Sequence, residues 1–325
     1  MGVRLLGNDG HAFRVARMYH PSHHVTSLAE AEAWFERVFG RVSHPMAEMS
    51  KGMPPSSGYP TDYSTFTPIN DVLFDTIDPK RYVLLEVQRY PTVTQPHLKG
   101  FGWYVPDCTG AFRALKAQGV EMVGQLDQQA DGDDPPTAAN SPMPLFFTTP
   151  ETAGLRYELM PPIPFPLDPR IKEGWELPAA AEDATLGIDF CSHHTVLTDQ
   201  PKRALKVVVD ALGGVVVHEG RNELLGLTST FVHLADSVLE YGVPDDDTAA
   251  HADWRTTAPH DTYHTITWKV ADLDKVVDHL GRQGIGIRRR TDDAIVVEPE
   301  KALGVPWVFT TVLTPGDPRR GARAS

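Results

Sequence analysis

One pattern occurs four times along this chain of 325 residues. Each copy has a short β-type run, a polar or proline-containing turn, an amphipathic helix of about three turns, a terminal glycine and a further apolar run. Such repetition sets the architecture before any single element is assigned. In the first copy, RMYHPSHHVTSLAEAEAWFERVFG, Leu28, Ala31, Phe35, Val38 and Phe39 share one helical face and Gly40 ends the helix. In the second, GFGWYVPDCTGAFRALKAQGV, Asp107 is placed to cap a helix that buries Ala111, Phe112 and Leu115 and stops at Gly119. The third, CSHHTVLTDQPKRALKVVVDALGG, aligns Ala204, Leu205, Val208, Ala211 and Leu212. The fourth, HTITWKVADLDKVVDHLGRQGI, has Asp272 as cap, Leu273, Val276, Val277 and Leu280 inward, and Gly281 at the stop.

The ends of the copies correspond as well. The first and third close on strands at 82–87 (YVLLEV) and 237–242 (SVLEYG), and the second and fourth on 150–159 and 299–309, which share a Pro-Glu start and an internal glycine. The order is therefore A, B, A, B. It implies an N-terminal domain over 1–163, with modules at 14–92 and 97–163, and a C-terminal domain over 185–314, with modules at 185–244 and 262–314. A proline-rich linker, 164–184, joins them, and 315–325 forms a tail. Two Pro-, Ser- or Asp-rich stretches, 43–70 and 244–261, read as long loops that could act as lids. Two ferredoxin-like domains would give a similar alternation of strands and helices.

Composition narrows the partners. With 41% apolar and 22% charged residues the chain is an ordinary globular protein, long enough for two cores. A net charge of −13 argues against a nucleic-acid partner, which would need clustered Lys and Arg to displace counterions. No apolar run is long enough to cross a membrane, and the start MGVRLLGNDG lacks the apolar stretch of a secretory signal, so a cytoplasmic location is expected. Cys108 and Cys191 stand far apart and read as ordinary thiols. There is no phosphate-binding loop, GxGxxG turn, GxSxG elbow or HExxH helix. The run Arg288-Arg289-Arg290 reads as a solvated face.

The repeats resemble the vicinal oxygen chelate superfamily, which includes glyoxalase I, methylmalonyl-CoA epimerase, the fosfomycin and bleomycin resistance proteins and the extradiol dioxygenases. The resemblance spans residues 14–314 and rests on a strand with His near its start, a helix ending in Leu/Phe-Gly, and a closing strand with Glu. It implies an α+β fold in which four βαβββ modules pair into two cupped, mostly antiparallel sheets. It also implies metal ligands on the first and last strands of each module, four slots to a cup. Alternation of side chains along a strand then assigns His20, Glu86 and Glu158 to the first cup, with Gly100 at the empty slot. His24 shares the face of His20. One imidazole and two carboxylates suit Zn, Fe, Mn, Co or Ni with positions left open, and Glu86 and Glu158 are the candidate catalytic groups.

The second cup matches less well. Its opening ligand is His193 or His194, with His193 preferred, and Glu240 is aligned with Glu86. In the fourth module Thr265 takes the opening slot, His264 falls one residue early, where a bulge could turn it inward, and Val308 stands where Glu158 stands in the first half. The resemblance thus implies a metal-dependent lyase or isomerase acting on a small oxygenated metabolite in the first cup. The alternatives are an Fe(II) ring-cleaving dioxygenase built on His193, Glu240 and His264, and a metal-free binding protein whose cup is lined by Trp103, Tyr104 and Trp268. The expected partner is a small-molecule substrate, with neither nucleic acid nor membrane involved and a homodimer left open.

Overall fold

The computed structural model describes residues 13–51, 59–162, 168–178 and 185–321. The N-terminal stretch read above for a signal, parts of the first long loop and of the linker, and the last residues of the tail lie outside the described residues.

Two eight-stranded sheets carry the chain, one from each half. In the first, spatial order runs His44–Pro45, Ser64–Ile69, Val72–Ile77, Arg17–His24, His97–Tyr104, Tyr157–Met160, Phe146–Thr148 and Met122–Val123. Each module's opening strand is parallel to its closing strand, a pairing that demands a crossover and so explains the helix between them. The two modules of a half join antiparallel through their opening strands, Arg17–His24 on His97–Tyr104 and Ile188–Leu197 on Thr262–Val270. The second sheet repeats this order, with Val215–Asn222, Leu227–Leu234 and Ser237–Pro244 on one flank. Val308–Thr310, Ala294–Val297 and Ile287–Arg290 form the other flank. The expected α+β arrangement of four βαβββ modules is the observed one.

The helices fall where the apolar stripes place them. Asp107 and Asp272 accept hydrogen bonds from Gly110 N (2.9 Å) and Lys275 N (3.0 Å), capping the ten-residue helices Cys108–Ala117 and Leu273–Arg282. The A modules share a different trait. Leu28–Trp34 passes into a wide turn at Phe35–Phe39, and Pro201–Leu205 passes into one at Lys206–Ala211. Left-handed glycines end all four helices: Gly40, Gly119, Gly213 and Gly284. The fourth stop is thus Gly284 and not Gly281, because the helix continues to Arg282. Neither loop is wholly irregular: 43–70 contains a turn of helix at Met46–Met49 and the strand Ser64–Ile69, and 244–261 contains the helix Ala249–Trp254. No helix among the described residues is long and apolar enough to cross a membrane.

The helices of both halves meet in one hydrophobic core. Phe39 packs against Trp307 at 5.3 Å and Trp268 at 6.0 Å between ring centroids, and the Trp34 indole donates to Lys301 O (2.9 Å). Trp103 and Trp268 are fully buried here, so they do not line a cup. Two reciprocal hydrogen bonds also join the halves: Cys191 N to Asp71 Oδ1 and Met18 N to Asp236 Oδ1, both 2.8 Å.

A second duplication was not anticipated. Beyond each half's last strand an Asp-Pro-Arg knuckle folds back: Asp168-Pro169-Arg170 after the first half, Asp317-Pro318-Arg319 after the second. Arg170 forks onto Asp168 (Nε to Oδ1 2.9 Å, Nη2 to Oδ2 2.6 Å) and donates to Asp71 O (2.8 Å) and Tyr19 O. Arg319 likewise holds Asp317 and donates to Cys191 O (2.9 Å) and Ser192 O. What reads as linker and tail therefore anchors each half's own opening strand.

Candidate functional site

Strand register fixes which residues of the two halves correspond. Ser22 lies opposite Asp75 and Thr195 opposite Glu240; Phe66 faces Asp75 and Phe231 faces Glu240. Gly102 pairs with Glu158 and Thr267 with Val308. Counting back two residues from Ser22 and Thr195, His20 matches His193, which agrees with the preference for His193 over His194.

In the first cup His20 stands between two carboxylates. Its Nδ1 is 3.9 Å from Asp75 Oδ2 and its Nε2 is 3.7 Å from Glu158 Oε2. A register shift between Met18 and Pro21 sends Met18 into the shared core while Tyr19 and His20 touch edge to face at 3.9 Å. Ser22 Oγ lies 3.1 Å from His20 Nδ1, and Ser64 donates to Asp75 Oδ1 (2.6 Å). Burial, reinforced by the Arg170 charge, lowers the His20 pKa to about 3, so the ring is neutral. Burial also raises Asp75 to about 7, against the pull of Ser64. Burial and then the Asp75 charge raise Glu158 to about 8, with Arg156 opposing. Beside this group Tyr59 and Tyr82 hydrogen bond to each other (2.9 Å) and both accept from Gln125 Nε2 (3.1 and 3.2 Å). Tyr63 stacks on Tyr82 at 3.8 Å.

Asp75 holds the place that the sequence reading gave to Glu86. Residues 82–88 are not the closing strand but a separate hairpin, Val83–Leu84 with Val87–Gln88, whose turn has Leu85 and Glu86 at φ 49° and 66°. Glu86 is exposed there, as are Val83, Leu85 and Val87. The closing strand is Val72–Ile77. Its signal was the turn before it: Asn70-Asp71 and Ala235-Asp236 both precede the closing strand, and Asn70 and Ala235 both have positive φ (52° and 59°).

The second cup differs in kind. His193 Nε2 lies 3.5 Å from Glu240 Oε2, but that carboxylate already accepts from Thr195 Oγ1 (2.6 Å), Ser229 Oγ (2.7 Å) and Asn222 Nδ2 (2.8 Å). Burial raises the Glu240 pKa, yet His193 and the two hydroxyls outweigh it and bring the carboxyl to about 2. Val308 belongs to an apolar cluster with Leu197, Leu227, Ala250 and Val296 that fills this side. A bulge does occur at His264, skipped between Thr265 and Tyr263, but the ring pairs with Asp253 (3.0 Å) and not with His193 or Glu240. His24 is buried against Tyr90 (4.7 Å) and His97 (5.6 Å), its Nε2 without a partner, away from the two carboxylates. Tyr104, unlike Trp103 and Trp268, lies on the cup side, against Tyr19 at 4.6 Å.

Among the described residues no three His, Cys, Asp or Glu side chains converge in a ready-made metal cluster, because each His20 nitrogen faces a different carboxylate. The donor chemistry nevertheless fits a divalent cation. The buried Asp75 and the half-buried Glu158 face one neutral imidazole, burial raises both carboxyls, and Arg156, whose charge opposes the rise of Glu158, is already paired with Asp127 (2.7 Å).

This is the four-module fold that the resemblance to the vicinal oxygen chelate superfamily implies. The chain is similar to a triple mutant of 4-hydroxymandelate synthase from Streptomyces coelicolor, at a TM-score of 0.56 and 15% identity over 91% of this chain and 92% of that one. It is similar to the 2,3-dioxygenase LapB from Pseudomonas sp. KL28, at 0.55 and 12% over 94% and 95%. It is also similar to the Mn(II)-bound glyoxalase from Novosphingobium aromaticivorans, at 0.55 and 12% over 94% and 85%. No family model matches the sequence, and no curated protein matches it.

Proposed function

We propose that the first cup is a metal-dependent active site, with His20, Asp75 and Glu158 as the residues that hold a divalent cation, and that the protein is a lyase or isomerase acting on a small oxygenated metabolite. The observation that carries this reading is the contrast between the cups: Asp75 and Glu158 flank the His20 ring, with Asp75 accepting from Ser64, and burial raises them to about 7 and 8, whereas Glu240 accepts from Thr195, Ser229 and Asn222 and stands at about 2. The cation when bound would act as a Lewis acid on neighbouring substrate oxygens. Glu158, with 20% of its side chain exposed, is the carboxyl able to exchange a proton with substrate. Asp75, tied to Ser64, is the fixed one. The tyrosines at 59, 63 and 82 pack on this side, their hydroxyls bonded to one another and to Gln125. The saturated Glu240 and the apolar Val308 weigh against the alternative of an iron dioxygenase in the second cup.

Metal analysis of the protein, and titration after chelation, test the proposal in wild type, Asp75→Asn, Glu158→Gln and, as a control, Glu86→Gln. One divalent ion per chain, lost from the first two variants and kept in the third, is expected. Exchange of solvent deuterium α to a substrate carbonyl, dependent on Glu158, would identify the reaction class. Retention of metal in both Asp75→Asn and Glu158→Gln overturns the site. Oxygen uptake with catechols that survives His20→Ala points to the dioxygenase, and stabilisation of metal-free protein by aromatic ligands without turnover points to a binding protein.

A further inference from the structure

A cleft of about 1120 Å³ opens between the halves, lined by neither His20, Asp75 nor Glu158. Its walls come mainly from the B modules of both halves, with Thr26 and Glu30 of the first A module and residues within 253–261, and the two opening strands enter it at equivalent bulges. Register passes from Gly100 to Leu98 and skips Lys99 in one, and passes from Thr265 to Tyr263 and skips His264 in the other. A bulge re-aims the extra side chain, and both Lys99 and His264 line the cleft.

Positive charge gathers at the Lys99 end. Lys99 makes no hydrogen bond or ion pair among the described residues, and Arg156 stands close enough to oppose its charge. Arg156 uses Nη1 on Asp127 (2.7 Å), while its Nε and Nη2 are buried with no partner. His264 is 4% exposed at the side chain, with Nδ1 likewise unpartnered. Two of the carboxylates in the cleft are engaged: Asp253 holds His264 (3.0 Å) and Arg288 (3.7 Å), and Asp261 holds Arg203 (2.7 Å). Glu30 and Glu300 are exposed. Unmet N–H donors arranged as a fork beside a second cation are what a carboxylate or phosphate satisfies. In a chain of net charge −13 such a pairing is not a general surface property.

We propose that this cleft is a binding site for a small organic anion, its carboxylate or phosphate held by Lys99 and Arg156 and its body lying along Leu98, Leu155, Tyr263 and Pro306. The cleft is large for a bare ion and of the size that takes a metabolite. The cleft is lined by none of the three cup residues, although Arg156 also opposes the rise of Glu158.

Calorimetric titration with inorganic pyrophosphate and with succinate tests it, in wild type, Lys99→Gln and Arg156→Gln. Saturable binding of at least one probe is expected, and which one binds identifies the anion. It should weaken about ten- to a hundredfold in Lys99→Gln, the loss of one charge-assisted contact, with metal content unchanged. Arg156→Gln also takes one of two cations from Asp127, leaving Arg89 (3.2 Å), so Lys99→Gln, which breaks no internal bond, decides. No saturable binding of either probe, or equal affinity in Lys99→Gln, overturns the proposal.

Discussion

Replacing Arg170 by alanine is the sharpest test of how the first cup is held. Arg170 is 6% exposed and its partner Asp168 is fully buried, and the fork between them, at 2.9 and 2.6 Å, is accompanied by donations to Asp71 O and Tyr19 O. Removing the cation leaves a carboxylate without compensation and two carbonyls without their donor. Breaking a buried pair in this way costs about 3–5 kcal/mol, which for a cooperative unit of about 150–250 residues lowers the melting temperature by roughly 6–20 °C. The pH dependence carries the sign. Burial alone would raise Asp168, but its hydrogen bonds and charge contact with Arg170 hold it below the usual carboxylate value. Its stability contribution in wild type is therefore present above the unfolded pKa, about 3.9, and is lost only as pH falls through the lower folded value. In Arg170→Ala burial is opposed only by the backbone N–H of residue 170 and by Arg17, so the deficit of the variant relative to wild type should shrink as pH falls from 7 to 5. Urea denaturation at pH 7 and pH 5, with the double variant Asp168→Leu/Arg170→Met, measures this. The double variant should recover most of the loss. A loss in Arg170→Ala below about 1 kcal/mol, or a double variant as unstable as the single, would refute the reasoning. Arg319→Ala should cost less, because that side chain is 16% exposed against 5% for Arg170.

Three further outcomes are expected. Because Asp75 and Glu158 are raised above their unfolded values, their contribution in metal-free protein is complete below pH ~4 and declines as pH rises through about 7 and 8. Scanning fluorimetry should thus show a divalent ion stabilising the protein more at pH 8 than at pH 6, and an equal shift at both would contradict the raised values. Glu240→Gln replaces a carboxylate that accepts from three donors and faces His193. It should cost about 1–3 kcal/mol in urea unfolding while leaving metal stoichiometry intact. Gly102→Ala would set a Cβ 2.5 Å from Glu158 O and 2.7 Å from Glu158 Cβ; a loss of about 1–3 kcal/mol together with weakened metal binding, measured by chelator competition, is expected.

Much of this molecule is written in its repeats. The helix stripes, the caps Asp107 and Asp272 and the correspondence of Glu158 with Val308 follow from periodicity and local chemistry, which a single sequence displays. Asp75 did not, because VLLEV at 83–87 looks more like SVLEYG than VLFDTI does, and likeness of side chains drew the alignment away from likeness of backbone. The turn before the strand, with its left-handed residue followed by Asp, was the truer guide. The Asp-Pro-Arg knuckles passed as linker and tail because proline there argues against a strand, while the buried fork with Arg becomes visible only in three dimensions. Of the two cleft bulges, that at His264 was open to the sequence because the His falls one residue early, whereas that at Lys99 left no such mark, and one skipped residue inverts the side-chain alternation on which strand reading depends.

The common core has a consequence for the order in which the protein is made. The Trp34 indole finds its acceptor 267 residues further along, on Lys301, and Phe39 closes against Trp307 and Phe309 near the end of the described chain. During synthesis the first half emerges with these aromatic faces bare, and the surface that covers them does not exist until the fourth module has left the ribosome. The two halves are repeats in form, but part of the core of the first is covered only by the last.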